Sequence, residues 1–443
     1  QYDRAIAFFN KAIEINPRFA EAYLNRGYAY DAKKQYDKAI SDYTKAIELN
    51  PRYVEAYGSR GITYEKKGKY DQAIADNNKA IEINTRADKA YHNRGHAYWK
   101  KDQFDKAISD YTKAIELNPR YAKAYSNRGN AYNGKKQYDK AISDFTKAIE
   151  LNPRDAKAYN NRGNAYYRKK QFDKAISDFT KAIEINPRLA EAYNNRGNAY
   201  NGKKQYDKAI SDFTKAIEIN PRLAETYSNR GNAYNGKKQY DKTISDFTKA
   251  IELNPRDAEA YNNRGNAYYR KKQFDKAISD YTKAIELNPR DAEAYNNRGF
   301  AYANKGIYYR AISDCNKAIE INPRFAEAYY NRGGAYGSKG QYDKAISDCT
   351  KAIEINPRLA EAYYNRGVSY EKKGQYDQAI ADYTKAIELN PRYAEAYHNR
   401  GGAYFFKKEY EKAWDDVHKV QNLGYTVHPA FLRDLRQALG RQK

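Results

Sequence analysis

The chain has 443 residues, and 80 Lys or Arg against 56 Asp or Glu give it a net charge of +24. Hydrophobic side chains make up 41% of it, enough to bury a core, yet no apolar run approaches the ~20 residues that cross a bilayer, so a membrane span is excluded. Two cysteines exclude a disulfide-stapled scaffold, and the lysines alternate with acidic residues along the whole length instead of forming a basic block. That pattern is a solvated charged face; nucleic acid is not the expected partner, although the net sign favours anionic ones.

A strict 34-residue period overrides any reading of the chain as several globules. Numbering each unit 1–34 from Ala20, proline stands at position 32 as Pro17, Pro51, Pro119, Pro153, Pro187, Pro221, Pro255, Pro289, Pro323, Pro357 and Pro391, and only Thr85 breaks the series. Residues 1–19 match the second half of a unit, a lone helix with Tyr2, Ala5, Ile6, Phe9, Ala12 and Ile13 on one uncovered face. Gln1 falls at repeat position 16 and the chain has no methionine. The expectation is therefore a fragment or a processed chain with a portion missing before Gln1.

Twelve units fill 20–427. The second has Asn77 where an aromatic is expected, and should be a softer joint. The third carries His92 and His96 near Trp99. This i, i+4 spacing can serve a metal, but no third ligand is evident, so no metal or cofactor is expected and a local binding patch or a plain surface pair is the better reading. The five units from 122 to 291 are nearly identical, and 190–223 shows their plan. Tyr193, Gly197 and Tyr200 form one helical stripe; Ala209, Ile210, Phe213, Ala216 and Ile217 form a second. Gly202 and the lysines after it are expected to separate the two helices, Asn220–Pro221 to stop the second, and Asp155, Asp257 or Asp291 to cap the helix that follows. Each unit is thus a helix A and a helix B, too short to stand alone and stabilised by its neighbours. From 292 to 393 the surface of helix A varies. Cys315 and Cys349 occupy core position 24 of successive units, too far apart to bridge. The last unit, 394–427, ends near Gly424, and 428–443 follows with Phe431, Leu432, Leu435 and Leu439 on one face and Arg433, Arg436 and Arg441 elsewhere, an expected capping helix.

Arg fills every copy of position 7 and Asp every copy of position 23, as in Arg196 with Asp212 and Arg264 with Asp280. Both positions border the buried stripes, so these charges are expected to pair between helices and fix their register.

An aromatic at 4, Gly at 8, Tyr at 11, Ala at 20, an aromatic at 24, Ala at 27 and Pro at 32 resemble the tetratricopeptide repeat, with the constant Arg at 7 as a departure. The resemblance covers about 1–427. It implies an all-α, right-handed superhelical solenoid whose concave groove, lined by helix A, receives protein or peptide partners. Asparagine dominates that side: Asn127, Asn161, Asn195, Asn229, Asn263 and Asn297 at position 6, Asn130, Asn164, Asn198, Asn232 and Asn266 at position 9, with Tyr167 and Tyr269 at position 12. An amide both donates and accepts, so such a row can follow an extended backbone, similar to the asparagine ladder in the repeat domain of the O-linked N-acetylglucosamine transferase. The alternative role for position 6 is to brace neighbouring helices. The family's terminal-carboxylate clamp fits poorly, since position 5 is never Lys, position 6 never Arg, and position 2 is Lys only at Lys89, Lys123 and Lys157.

No nucleophile–base motif, phosphate loop or zinc set is present. The expected function is a non-catalytic scaffold for extended peptides. Two alternatives stand beside it: head-to-tail self-assembly through the 1–19 edge, and a regulatory arm of an enzyme whose catalytic part precedes Gln1.

Overall fold

The computed structural model describes residues 1–440. These residues hold twenty-six helices and no strand: a first helix, Tyr2–Ile15, then twelve A–B pairs, then Pro429–Ala438. Packing groups them into two compact units, Gln1–Pro221 and Arg222–Lys443, each a run of helical hairpins. No helix among the described residues is long and apolar enough to cross a membrane.

The 156–189 repeat shows why the hairpin forms. Helix A, Ala156–Arg168, opens on Asp155, whose carboxylate accepts from the Lys157 and Ala158 amides at 3.0 and 3.2 Å. It closes in a Schellman turn, with Gln171 N donating to Tyr166 O at 2.9 Å and Lys170 N to Tyr167 O at 2.8 Å. Helix B, Phe172–Ile185, stops at Asn186, held extended before Pro187.

The turn corrects one expectation. Gly202 is the last residue of its helix A, and the left-handed residue is Lys204, at φ +58°. Gly68, Gly306, Gly340 and Gly374 take that place in other repeats. Gly202 serves packing instead: a Cβ there would lie 2.9 Å from the Phe172 ring of the preceding repeat.

Helix A buries more than the tyrosine stripe. In the 190–223 repeat Ala192, Gly197 and Ala199 are fully enclosed, whereas Tyr193 and Tyr200 are half-buried with cations over their faces. The reason is that helix A lies between two helices B. Gly197 faces Phe213 of its own repeat, while Ala199 packs on Ala175 and Phe179 and Ala192 on Ala182 and Ile183 of the previous one. Two seams, one lined by glycine and one by alanine, bring the helices close on both sides.

Asn77 sits in such a seam. Its Nδ2 donates to Ala73 O at 2.8 Å and its Oδ1 is buried with no partner, an unsatisfied acceptor where other repeats place a ring. Cys315 and Cys349 are buried free thiols, pushed up to about 12 by burial. In the last helix Leu435 is enclosed by Val417, Val420 and Val427, with Phe431, Leu432 and Leu439 against the same cluster. Arg441 lies outside the described residues.

Within each unit successive helices A touch one another, as Ala156–Arg168 touches Ala190–Gly202 and Ala326–Ser338 touches Ala360–Lys372. Among the described pairs helices B touch helices A and not one another, and the last helix B also touches Pro429–Ala438. The helices A are therefore the more closely spaced row and line the inner side of each unit.

Candidate functional site

The constant arginine is a three-way clamp. Arg264 Nε and Nη2 each donate to the Asp280 carboxylate at 2.8 Å, and Nη1 donates to Thr248 Oγ1 of the preceding helix B at 3.0 Å. Arg196 does the same with Asp212, at 2.7 and 2.8 Å, and with Thr180 at 3.0 Å. The fork-on-fork geometry is that of a strong charge-assisted pair, and the Asp280 hydrogen bond raises the pKa of the Arg264 guanidinium. Thr248 donates its own proton to Ile244 O at 2.7 Å, which leaves an oxygen lone pair for the arginine. The third arm was missed from sequence; its signal is that position 25 holds Thr or Asn in every repeat that another follows, as in Asn10, Thr44, Asn78 and Thr112. One side chain thus ties helix A to two helices B, which holds the inner face rigid.

On that face the candidate amides are all half-buried, and they divide by role. Asn195 Nδ2 donates to Asn160 Oδ1 at 3.0 Å and Asn297 Nδ2 to Asn262 Oδ1 at 3.2 Å, position 6 reaching position 5 of the preceding repeat. Asn331 and Asn399 make the same link to Asn296 and Tyr364. Asn161 turns instead to Asn130 Oδ1, at 3.0 Å. Position 6 is therefore a brace between helices A, and each such bond uses one of the amide's two N–H groups. Asn229 and Asn263 share the same half-buried level.

Position 9 is freer. Asn266 accepts from Tyr281 Oη at 2.8 Å, but Asn164, Asn198 and Asn232 make no hydrogen bond among the described residues, so their amides are available to a ligand. Tyr167 lies against Phe172, and Tyr269 against Phe274 and Phe300, with ring centroids 5.2–5.6 Å apart.

The two histidines part company. His92 is 3% exposed. Its Nε2 accepts from Asn127 Nδ2 at 2.9 Å, its Nδ1 faces Asn93 Oδ1 at 3.3 Å, and burial pulls its pKa down to about 4. It is a neutral position-5 brace, not a surface patch. His96 stays on the inner face, with Nδ1 2.7 Å from Glu65 Oε1 and its ring stacked on Trp99. A recess of about 590 Å³ beside it is lined by Trp99, Lys100, Phe104, Asn130 and Asn161. Among the described residues no three His, Cys, Asp or Glu side chains gather as a metal site.

Lysines at position 14 pair with aspartates at position 18 of the preceding repeat, as Lys203 with Asp173 and Lys305 with Asp275, and lysines at 26 pair along their own helix, as Lys283 with Glu286 at 2.9 Å. Much of the positive charge is thus already matched.

A family model described as tetratricopeptide repeat matches residues 20–53, 54–85, 88–121, 122–155, 156–189, 190–223, 292–325, 326–359 and 360–393. Two related models, a TPR repeat and a further tetratricopeptide repeat, match 1–33, 231–272 and 265–306, and 382–415. No curated protein matches. Among solved structures the chain is similar to the APC/C hetero-tetramer Cut9–Hcn1, with 16% identity and a TM-score of 0.52 over 99% of this chain and 93% of that one. That likeness is one of fold. It is also similar to YrrB, a TPR protein with an unusual peptide-binding site, with 32% identity and a TM-score of 0.37 over 42% of this chain and 95% of that one.

Proposed function

The chain belongs to the tetratricopeptide repeat family, and from that premise we propose that it is a non-catalytic scaffold that holds extended peptide segments against the inner faces of its helices A. The observation that carries this reading is the division of the amides. Position 6 braces the helices, whereas Asn164, Asn198 and Asn232 at position 9 remain half-buried and without a protein partner. A half-buried amide that the fold does not use can still donate and accept toward an added backbone. Within Gln1–Pro221 the arginine clamp keeps Asn164 and Asn198 at fixed spacing, which lowers the ordering cost of binding. The side chains around these amides are mostly further amides and aromatic rings, which suits the binding of an extended backbone.

The test is an array of unstructured peptides probed with the full chain and with a variant carrying Ala at Asn164, Asn198 and Asn232. The variant is expected to keep its melting temperature, since no hydrogen bond is removed, and to lose at least about fivefold in signal, the ~1 kcal/mol of one or two hydrogen bonds. Undiminished binding would refute the proposal.

A further inference from the structure

In the second unit the inner face opens into a pocket of about 460 Å³ between helices Ala292–Asn304, Ala326–Ser338 and Ala360–Lys372. Its floor is Gly334 and Gly337, its walls include Phe300, Tyr330 and Tyr364, and Lys372 stands at its edge. The two glycines lie inside a helix, where glycine is destabilising relative to alanine, and nothing in the protein requires them. Neither has a positive φ, and an added Cβ would come no nearer than 3.4 Å to any atom at Gly334 or 3.7 Å at Gly337. The contrast is Gly333 next to them, where a Cβ would lie 2.9 Å from Cys349 Sγ.

A comparison inside the chain shows what is missing. In the first unit Asp31 occupies the repeat position that Gly337 holds here. Its carboxylate is 3.0 Å from Thr63 Oγ1 and pairs with Lys66, both from the next helix A. Ser369 and Lys372 stand where Thr63 and Lys66 stand. Thr63 reaches both Asp31 and the Ser59 carbonyl, but buried Ser369 reaches only the Asn365 carbonyl, at 2.9 Å. Lys372 is exposed and has no carboxylate partner among the described residues. Neighbouring Glu371 is engaged by Tyr383 Oη at 2.6 Å. The receptor for a carboxylate has been kept and the carboxylate removed.

We propose that this pocket receives an acidic side chain of a bound peptide together with an adjoining aromatic one, the carboxylate between Ser369 and Lys372 and the ring over Gly334 and Gly337 against the tyrosines. Neither Ser369 nor Lys372 occupies position 2, 5 or 6, which a terminal-carboxylate clamp would use. The inference rests on the peptide-scaffold reading and names the partner's chemistry at one place.

The test uses the full chain and a capped probe, acetyl-Gly-Glu-Phe-Gly-amide, with binding followed by ligand-observed NMR. Saturable binding below about 5 mM is expected, with a roughly tenfold loss when Glu in the probe becomes Gln. Gly337→Asp restores the internal carboxylate; it is expected to melt no lower than wild type and to weaken the probe at least tenfold. Lys372→Gln, an exposed change that leaves the fold intact, should weaken it to a similar degree. The inference is overturned by absent saturation, by equal affinity for the Gln probe, or by unchanged binding in Gly337→Asp or Lys372→Gln. Because the position-9 amides are untouched, a failure of the amide proposal leaves this result readable, and the reverse also holds.

Discussion

Replacing Arg264 by Leu is the sharpest test of how the repeats are held. The substitution removes two bonds to Asp280 at 2.8 Å and one to Thr248 at 3.0 Å. It leaves a carboxylate whose side chain is 8% exposed without its counter-charge; the arginine itself is 16% exposed. Removing one partner of a buried pair costs about 3–5 kcal/mol, and the small solvent access at the arginine edge places this pair near the lower end, about 3 kcal/mol. The two charge-assisted bonds, at roughly 1.5 kcal/mol each, give the same figure. Asp280→Leu should cost less, about 2 kcal/mol, because the freed guanidinium can turn to water. The double variant should then recover about 1.5 kcal/mol relative to the sum. Stability in a stacked array is local, so the assay is hydrogen exchange of peptides from helix Phe274–Leu287. About 3 kcal/mol is roughly a hundredfold faster exchange in Arg264→Leu. Exchange within about threefold of wild type, or additive losses in the double variant, would refute the clamp.

Three further outcomes follow from single residues. His92 has its pKa lowered to about 4 in the fold, so the unfolded chain takes up a proton first as pH falls. Its stabilisation is complete above about pH 6.5 and declines by about 3 kcal/mol between there and pH 4. His92→Asn, which keeps the acceptor for Asn127, should flatten that decline in melting temperature, and parallel curves would refute it. Lys204, at φ +58°, should gain about 0.5 kcal/mol on replacement by Gly, the relief of left-handed strain less the added entropy of the unfolded chain; a lower melting temperature would contradict this. Gly163→Ala places a Cβ 2.7 Å from the Phe179 ring and should cost about 2 kcal/mol. Gly334→Ala, which meets nothing nearer than 3.4 Å, should gain up to about 1 kcal/mol in a parallel melt. Equal effects at the two glycines would show that the distances do not govern.

What could be read in advance depended on whether a residue's role is fixed within its own hairpin. Asp155, Asn186 and Pro187 act on the backbone next to them, so the helix ends followed from residue type. Arg and Asp in every copy of a seam had few ways to offset the cost of burial except pairing. The alanines at positions 3 and 10 were illegible for the opposite reason. Alanine is a good helix former anywhere, and its burial at Ala192 and Ala199 depends on the helix B of another repeat. Thr248 carried the same ambiguity, because a helical threonine is as ordinary on the surface as beneath an arginine. His92 was misread because its neighbours on the same helix are polar; the groups against it, Tyr111 of the next helix and Tyr121 at the cap of the one after, come from farther along the chain. Gly202 drew attention away from Lys204, since a lysine gives no sign that its backbone is left-handed. Among the asparagines, sequence placed the row, but only the offset between adjacent helices A decides which amide reaches a neighbour and which does not.

That division bears on where binding chemistry can change. Position 7 ties helix A to two helices B, position 8 must be glycine to admit a ring or thiol, and position 6 ties helix A to the helix A before it. Altering any of these disturbs the stack. Positions 9 and 12 have no such duty in most repeats, and position 9 varies widely: Tyr28, Ile62, His96, Asn198, Phe300, Gly334 and Val368 all stand there. The same scaffold therefore presents amides in its middle repeats and an aromatic-walled recess with an unmatched lysine near its C-terminal end. If the fold tolerates any residue at these places, exchanging Gly334 and Gly337 for the Asn198 and Asn201 of the 190–223 repeat should leave the stability within about 1 kcal/mol of wild type. The same exchange should fill the recess and abolish binding of the Glu-Phe probe. Loss of stability with retention of binding would mean that the variable positions serve packing after all.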